Sequence, residues 1–248
     1  MNDIHRTALV TGGNRGLGAA IAHALHDAGH TVIITHTPGN TTVGAWLRAQ
    51  VDQGRAFVAY GVDVADHESA EALARRVHAD GHAIDILVNN AGVTRDVTLR
   101  KMDKADWDTV LRTDLDSMFN VTKPFLDGML ERGWGRIINI ASVNGSKGQF
   151  GQTNYSAAKA GVHGFTKALA LEVARKGVTV NTVSPGYLST RMVVDLRVDV
   201  RQQILAGIPV GRLGEPREIA ALVAFIASDA AAFMTGSNVA MNGGQHMY

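Results

Sequence analysis

The chain has 248 residues, 46% of them hydrophobic, and a formal net charge of +1 at pH 7. This length and composition suit one domain with a large core, and the balanced charge predicts neither nucleic acid nor a membrane surface as a partner. The chain has no cysteine, which excludes disulfides and thiol chemistry, and it has no apolar run of about 18 residues, the length of a membrane span. We expect no secretory signal and a cytoplasmic protein.

Short β-branched runs alternate with longer helical segments along the predicted domain, residues 1–248. Strands are predicted over 7–11, 31–35, 56–64, 84–92, 135–142, 178–186 and 237–244, and helices over 16–29, 43–54, 68–80, 106–133, from Tyr155 to about Lys176, and over 216–228. Pro124 is expected to kink or divide the long helical region, and residues 187–215 are expected to form a flap. This alternation predicts an α/β fold, a single Rossmann-type doubly wound parallel sheet of about seven strands with helices on both faces.

The segment TGGNRGLG follows the first predicted strand and opens the first helix. Gly12, Gly16 and Gly18 let the backbone approach a phosphate closely, and a helix N-terminus attracts negative charge, which predicts a dinucleotide site. The second strand runs into THTPGNTT (35–42) without the acidic residue that favours NAD, and Arg15 offers a guanidinium to a 2′-phosphate. Both features predict NADPH, the alternative being that Arg15 only projects into solvent.

A tyrosine and a lysine form the candidate chemical pair. In GQTNYSAAKAG, Tyr155 and Lys159 stand four residues apart in a helical sequence, so both side chains lie on one face. A cation beside a phenol lowers the tyrosine pKa, which predicts that Tyr155 donates a proton near neutral pH. From these residues alone, an ordinary surface helix remains the alternative.

The glycine spacing, NNAG at 89–92 and Tyr-x-x-x-Lys together resemble the short-chain dehydrogenase/reductase family over essentially the whole chain. The resemblance implies that Ser142, thirteen residues before Tyr155, binds the substrate carbonyl and stabilises oxyanion charge. It also implies that Lys159 lowers the pKa of Tyr155 and binds the nicotinamide ribose. Asp114 stands where the family usually has an asparagine. A main-chain role survives that change, but a buried carboxylate near Lys159 alters the electrostatics.

The resemblance also implies a set of cofactor-binding residues. These are Gly12, Asn14, Arg15, Gly16, Leu17, Gly18, Asp63, Val64, Asn89, Asn90, Ala91, Gly92, Tyr155, Lys159, Pro185, Gly186, Leu188 and Thr190. Within this set, Asp63 is expected at the adenine edge, residues 89–92 along the cofactor, and Thr190 at the carboxamide or the phosphates.

Three segments of the sequence indicate a substrate class. NNAGVTRD, residues 119–161 and the terminal NGGQHMY resemble the acetoacetyl-CoA reductases of polyhydroxybutyrate synthesis and, more loosely, 3-oxoacyl-acyl-carrier-protein reductases. The substrate-binding residues implied are Asp96, Ser142, Gln149, Phe150, Gln152 and Tyr187, whose amides and aromatic rings suit a short acyl thioester. Gln149 and Gln152 are alternatively only polar loop residues. The basic residues that could meet the charges of a carrier are Arg95, Arg100, Lys101 and Arg191, the alternative being that they are only solvated.

The predicted function is NADPH-dependent reduction of acetoacetyl-CoA to (R)-3-hydroxybutyryl-CoA. One alternative is reduction of 3-oxoacyl groups on acyl-carrier protein, and another is a nucleotide-binding protein whose chemistry Asp114 weakens. The ten histidines have no metal-site spacing, so no metal is expected. The resemblance implies a homotetramer, and Val162, Phe165 and Leu169 are expected to offer a face to a partner subunit.

Overall fold

The computed structural model describes residues 5–190 and 197–247. Its strands are β1 (Thr7–Val10), β2 (Thr31–His36), β3 (Phe57–Gly61), β4 (Ile86–Asn89), β5 (Gly135–Ile140), β6 (Val178–Pro185) and β7 (Asn238–Met241). They form one sheet in the order β3-β2-β1-β4-β5-β6-β7, and every neighbouring pair is parallel. The predicted doubly wound α/β fold is confirmed.

Helices connect these strands and cover both faces of the sheet. They are α1 (Gly16–Asp27), α2 (Val43–Val51), α3 (His67–Ala79), α4 (Lys104–Leu111), α5 (Ser117–Arg132), α6 (Val143–Lys147), α7 (Thr153–Val173), α8 (Val198–Ala206) and α9 (Pro216–Ala227). A π-helical turn, Arg112–Asp116, joins α4 to α5, and a short 3-10 turn, Ala174–Lys176, extends α7.

Two apolar clusters hold the layers together, one on each face of the sheet. Leu9 and Ile33 pack with buried residues of α3, α5 and α7, whereas Val10 and Ile34 pack with those of α1 and α9. Successive strand residues point to opposite faces, so a sheet covered on both sides needs an almost continuous apolar run. The short β-branched strands of the sequence meet this requirement, and each fully buried side chain contributes about 1.5–3 kcal/mol of transfer free energy.

The long helical region is divided, but not where the sequence predicted. Pro124 lies inside α5, which runs without interruption from Ser117 to Arg132. The division is the π-helical turn Arg112–Asp116. This turn carries a fully buried aspartate, Asp114, and such turns are frequent at functional sites.

Other expectations also need correction. Val162 and Leu169 are buried in the chain's own apolar clusters and Phe165 packs against them, so these residues do not form a face for a partner. The flap expected over 187–215 stays a prediction: its described part contains α8, and residues 191–196, including Arg191, lie outside the described residues. The short helix α6 was not predicted.

Candidate active site

The glycine loop is shaped by close contacts that exclude larger side chains. Gly12 and Gly16 have φ of +63° and +51°, a backbone region that favours glycine. A Cβ on Gly18 would lie 2.3 Å from the Gly12 carbonyl oxygen, and a Cβ on Gly13 would lie 2.6 Å from Ile34 Cγ2. Glycine is therefore also required at position 13, where the loop passes over β2, although the spacing of glycines did not predict this.

Two threonines fix this loop to the sheet. Thr35, in β2, accepts the Gly12 N–H through Oγ1 at 3.2 Å and the Gly13 N–H through its carbonyl at 3.0 Å. Thr11 Oγ1 accepts the N–H groups of Asn90 and Ala91, both at 2.9 Å. The carboxyl ends of β1, β2 and β4 thus meet at one edge, where parallel α/β sheets bind ligands.

The start of α1 fits a phosphate group. Among the described residues no side chain caps this helix, and a Cβ at Gly16 would meet nothing within 4 Å. Uncapped N–H groups at a helix N-terminus attract anions. Arg15 is exposed at this point, and Asn14 and Leu17 are partly exposed. The loop therefore has both the space and the donors that a dinucleotide phosphate requires.

The other predicted cofactor-binding residues differ in whether the side chain or only the main chain can contact a cofactor. Asn89 turns its side chain into the core, where Nδ2 donates to Thr122 Oγ1 at 3.0 Å and to Asn139 Oδ1 at 2.9 Å. Only its main chain can therefore border a cofactor. Asp63 is exposed just beyond β3, and the buried Val64 accepts the side-chain amide of Asn120 through its carbonyl.

The segment after β6 is packed against the C-terminal turn. Gly186 has no room for a side chain, because a Cβ would lie 2.4 Å from Gln245 Oε1, and the same oxygen accepts the Tyr187 N–H at 3.0 Å. Leu188 is buried, whereas Thr190 is partly exposed. Gln245 was missed in the sequence, since nothing local marks it as a partner for residues almost sixty positions away.

Ser142, Tyr155 and Lys159 lie together where β5 ends and α7 begins. Ser142 is the N-cap of α6, accepting the Asn144 N–H at 3.2 Å, and its side chain hydrogen-bonds Tyr155. Lys159 Nζ lies 5.6 Å from the centre of the Tyr155 ring. A Cβ on Gly145 would lie 2.8 Å from the Lys159 carbonyl carbon, so a glycine there allows α6 to reach α7.

Asp114 and Lys159 form a buried ion pair beside this site. Lys159 Nζ lies 3.1 Å from Asp114 Oδ2 and donates to the Ile140 carbonyl at 3.1 Å. Asp114 Oδ1 accepts the Val93 N–H at 2.8 Å, and the whole aspartate is inaccessible to solvent. Gly92 lies against the pair, since a Cβ there would stand 2.8 Å from Asp114 Oδ2.

The expected substrate residues fall into two groups. Gln152 is buried and both ends of its amide are used, because Nε2 donates to Asp96 Oδ2 at 2.8 Å and Oε1 accepts from Asn144 Nδ2 at 2.9 Å. Gln149 and Phe150 are exposed, and the Gln149 amide oxygen accepts a hydrogen bond from the surface residue Lys147 at 2.9 Å. Gln152 is thus placed to hold the loops in position, and Phe150 is free to meet a ligand.

The basic residues expected near a carrier lie at the surface. Arg95, Arg100 and Lys101 are all exposed, on the loop between β4 and α4. Asn154, which is fully buried at the start of α7, donates to the Arg95 carbonyl at 3.2 Å, and the Val97 N–H donates to the Gly151 carbonyl at 2.8 Å. These bonds fix the loop that carries the three basic residues beside the start of α7.

Comparison with known proteins identifies the family. A family model described as enoyl-(acyl carrier protein) reductase matches residues 12–246. Acetoacetyl-CoA reductase of Cupriavidus necator is 54% identical over 98% of both chains, and nodulation protein G of Azospirillum brasilense is 54% identical over 96% of this chain and 97% of its own. A 3-oxoacyl-acyl-carrier-protein reductase of Vibrio harveyi is 47% identical over the full length of both chains. This chain belongs to the short-chain dehydrogenase/reductase family.

As a short-chain dehydrogenase/reductase, the chain is an oxidoreductase that uses a nicotinamide dinucleotide. Within the described residues there is no cluster of three or more potential metal ligands among the His, Cys, Asp and Glu side chains. In the same part of the chain, no helix has the length and apolar character to cross a bilayer.

The pKa of Tyr155 is raised, whereas the sequence predicted that it is lowered. Burial raises the pKa of the phenol, the Lys159 ammonium lowers it, and the Asp114 carboxylate raises it again, while Ser142 lowers it and Asp96 raises it. The lysine acts in the predicted direction, but the net shift is upward because burial and the carboxylates outweigh it.

The same aspartate acts on the lysine. Burial lowers the pKa of Lys159, but the Asp114 carboxylate and Tyr155 raise it, and the net direction is upward. Asp114 therefore holds the ammonium charged while weakening its effect on the phenol. An asparagine at this position, as in the usual family pattern, would do neither.

Proposed function

We propose that this chain is an NADPH-dependent 3-oxoacyl-thioester reductase that converts acetoacetyl-CoA to (R)-3-hydroxybutyryl-CoA in the cytoplasm, in polyhydroxybutyrate synthesis. The observation that carries the proposal is the group Ser142, Tyr155 and Lys159 beside a glycine loop that fits a dinucleotide phosphate. The sequence identity of 54% over 98% of both chains to a protein named acetoacetyl-CoA reductase supports acetoacetyl-CoA as the substrate. The matched family model is named for enoyl reduction, but the serine and tyrosine here suit a carbonyl oxygen.

The chain's own residues supply the proton and the charge stabilisation. Tyr155 donates its phenolic proton to the substrate carbonyl oxygen, and the Ser142 hydroxyl donates a hydrogen bond to the same oxygen as negative charge develops on it. A reduced nicotinamide, when bound, supplies the hydride to the carbonyl carbon. The phenolate left on Tyr155 is stabilised by the Lys159 ammonium, which the Ile140 carbonyl and Asp114 hold in place.

The cofactor preference rests on charge at the end of β2. Arg15 is exposed at the start of α1, and the turn after β2, from Thr37 to Thr42, contains no carboxylate. A guanidinium binds a 2′-phosphate with two hydrogen bonds, and an acidic side chain at this turn would repel it. These features support NADPH rather than NADH.

The nicotinamide and the substrate carbonyl would meet beside Tyr155, because the hydride passes directly to the carbon whose oxygen Tyr155 protonates. We place the phosphates at Gly12–Gly18, the adenosine near Asp63 and Val64, and the nicotinamide between residues 89–92 and the segment from Pro185 to Thr190. The acyl thioester would lie against Phe150 and Tyr187, with Gln149 at the rim. In this arrangement Asp96 and Gln152 act mainly by fixing the loops around Ser142.

The choice of CoA over acyl-carrier protein is tested by kinetics. The ratio of kcat/KM for acetoacetyl-CoA to that for acetoacetyl-acyl-carrier protein should exceed one. A ratio well below one would assign the chain to 3-oxoacyl-acyl-carrier-protein reduction instead. The exposed Arg95, Arg100 and Lys101 offer positive charge to the phosphates of either carrier.

Asp114 supports a second candidate, a nucleotide-binding protein with weakened chemistry. The buried carboxylate raises the pKa of Tyr155, which opposes formation of phenolate. This candidate predicts tight NADPH binding with almost no oxidation of NADPH by acetoacetyl-CoA. Turnover in the usual enzymatic range of about 1–1000 per second would rule it out.

We also propose a homotetramer. Phe119 and Leu171 are exposed on α5 and α7, and Phe225 and Met241 are exposed on α9 and the edge strand β7. Large apolar side chains exposed on these elements suit burial between copies of the chain. Light scattering coupled to gel filtration should give four chains, and a monomer would contradict the proposal.

A further inference from the structure

The Asp114 side chain has both of its oxygens opposite donors. Oδ1 accepts the Val93 N–H at 2.8 Å, and Oδ2 lies 3.1 Å from Lys159 Nζ. A carboxylate accepts at both oxygens, whereas an asparagine amide has one accepting oxygen and would turn an N–H group toward either Val93 or Lys159. The structure around position 114 therefore suits an ionised aspartate better than the asparagine that the family usually has.

An exposed glycine lies against this buried carboxylate. Asp114 is inaccessible to solvent, whereas Gly92, at the end of the NNAG segment, is exposed. A Cβ on Gly92 would lie 2.8 Å from Asp114 Oδ2 and 3.4 Å from Lys159 Nζ. A ligand group that contacts Gly92 is therefore close to the carboxylate, because no side chain at position 92 holds the two apart.

The proposed reaction creates charge at this point. Residues 89–92 line the proposed nicotinamide position, and a hydride carries an electron pair from the reduced ring to the carbonyl carbon. The neutral ring thereby becomes a pyridinium cation, while the proton that Tyr155 gives to the carbonyl oxygen leaves a phenolate. One positive and one negative charge therefore form in the same reaction beside Asp114.

We propose that the Asp114 carboxylate stabilises the oxidised nicotinamide, so that the chain binds NADP+ more tightly relative to NADPH than an asparagine at position 114 would allow. The inference rests on the proposed nicotinamide position. A negative charge attracts a cation more strongly across a protein interior than across water. The pair with Lys159 is neutral overall, whereas the lysine beside an asparagine would leave one positive charge that repels the pyridinium.

This role makes a buried carboxylate compatible with the proton donor. Burial and, after it, the Asp114 carboxylate raise the pKa of the Tyr155 phenol, so the carboxylate opposes the phenolate. The same carboxylate favours the pyridinium that forms in the same reaction. Its two effects on the reduction therefore have opposite signs, and an aspartate at this position need not abolish turnover.

Equilibrium binding of the two cofactor forms tests the proposal without turnover. Calorimetry would give the Kd of NADP+ and of NADPH for the wild type, Asp114→Asn and Asp116→Asn. The ratio of the two Kd values isolates the effect of charge, because a change in packing alters the binding of both forms, whereas the positive charge is present on the oxidised ring alone. Asp116 is the matched control, since it is exposed in the same π-helical turn, where solvent and salt screen its charge.

The expected result is that Asp114→Asn raises the Kd of NADP+ relative to that of NADPH by about four- to fifteenfold, the effect of one unit charge about 10 Å away at an effective dielectric constant of about 20–40. Asp116→Asn should keep the ratio of the wild type. An unchanged or lowered ratio in Asp114→Asn would overturn the role of the carboxylate. Failure of the wild type to bind either form would instead contradict the proposed NADPH site, and NAD+ with NADH would then carry the same test.

The affinity for 2′,5′-ADP identifies a misfolded variant, because this fragment lacks the nicotinamide and its Kd should be the same for all three proteins. If Asp114→Asn fails this check, Asp114→Ser is the replacement variant, since its hydroxyl oxygen can accept the Val93 N–H without carrying a charge. The Kd of NADP+ relative to that of NADPH should then rise as predicted for Asp114→Asn, and a wild-type ratio would overturn the proposal.

Discussion

Lys159 contacts two oxygens and lies near a phenol. Its Nζ lies 3.1 Å from both the Ile140 carbonyl and Asp114 Oδ2, and 5.6 Å from the centre of the Tyr155 ring. The positive charge is therefore shared between the Asp114 carboxylate and the phenolate that forms on Tyr155 during the reaction. The balance between these two partners sets the pH range in which Tyr155 holds its proton.

Replacing Asp114 should shift the pH profile of reduction toward acid. A raised pKa keeps the Tyr155 phenol protonated to higher pH, so the rate falls only as pH passes that pKa. In Asp114→Asn the carboxylate no longer raises the pKa of Tyr155, so the alkaline limb of kcat/KM should move to lower pH. Initial rates across pH measure this limb.

Asp116→Asn is the matched control, because Asp116 is exposed in the same π-helical turn. Its pH profile should stay with that of the wild type. An alkaline limb in Asp114→Asn that is unchanged, or displaced to higher pH, would contradict the role given to the carboxylate.

At the scale of elements, Gln152 joins the loop after β4 to the short helix α6. Gln152→Glu should keep the bond from Asn144 but place a second carboxylate against Asp96, with a cost of about 1–3 kcal/mol in ΔΔG‡ from kcat/KM. The double variant Asp96→Asn with Gln152→Glu restores a donor and an acceptor, and should recover most of the loss.

An exposed glutamine outside the proposed site provides the control for this pair. Gln53→Glu adds the same charge just after α2, where the amide oxygen accepts from Arg55, and should change kcat/KM by less than about 0.5 kcal/mol. If Gln152→Glu had no effect, or the double variant no recovery, Gln152 would not be a positioning residue.

Helix α7 offers a paired test of packing. Gly164 is exposed and a Cβ there would meet nothing within 4 Å, so Gly164→Ala should stabilise the protein by about 0.4–1 kcal/mol. Gly161→Ala should destabilise it, because the new Cβ would lie 2.9 Å from the Leu115 methyl carbons. Urea unfolding measures both, and equal signs would contradict the close contact between α7 and the π-helical turn.

At the scale of the whole molecule, the sequence predicted what depends on local pattern. All seven strands lie where apolar runs predicted them, because a sheet covered on both faces leaves a continuous apolar signal. The π-helical turn at Arg112–Asp116 was not predictable in this way. It is fixed by contacts of Asp114 with Val93 and Lys159, which come from distant parts of the chain.

For the candidate site, the sequence predicted which residues lie together but not how their side chains are oriented. The motifs predicted that Ser142, Tyr155 and Lys159 lie together, and in the structure Tyr155 contacts Ser142 and lies near Lys159. Which atoms remain free for ligands was not predictable from sequence. The side chains of Asn89 and Gln152 are used inside the protein, and only the folded chain shows their partners.

The measurement that tests the central claim most directly compares wild type with Tyr155→Phe, in NADPH oxidation by acetoacetyl-CoA and in NADPH binding. Loss of the phenolic proton should lower kcat by about 10²–10⁴-fold, while the Kd for NADPH should stay within a few-fold of wild type. A variant that binds NADPH normally and reduces acetoacetyl-CoA at the wild-type rate would show that Tyr155 is not the proton donor.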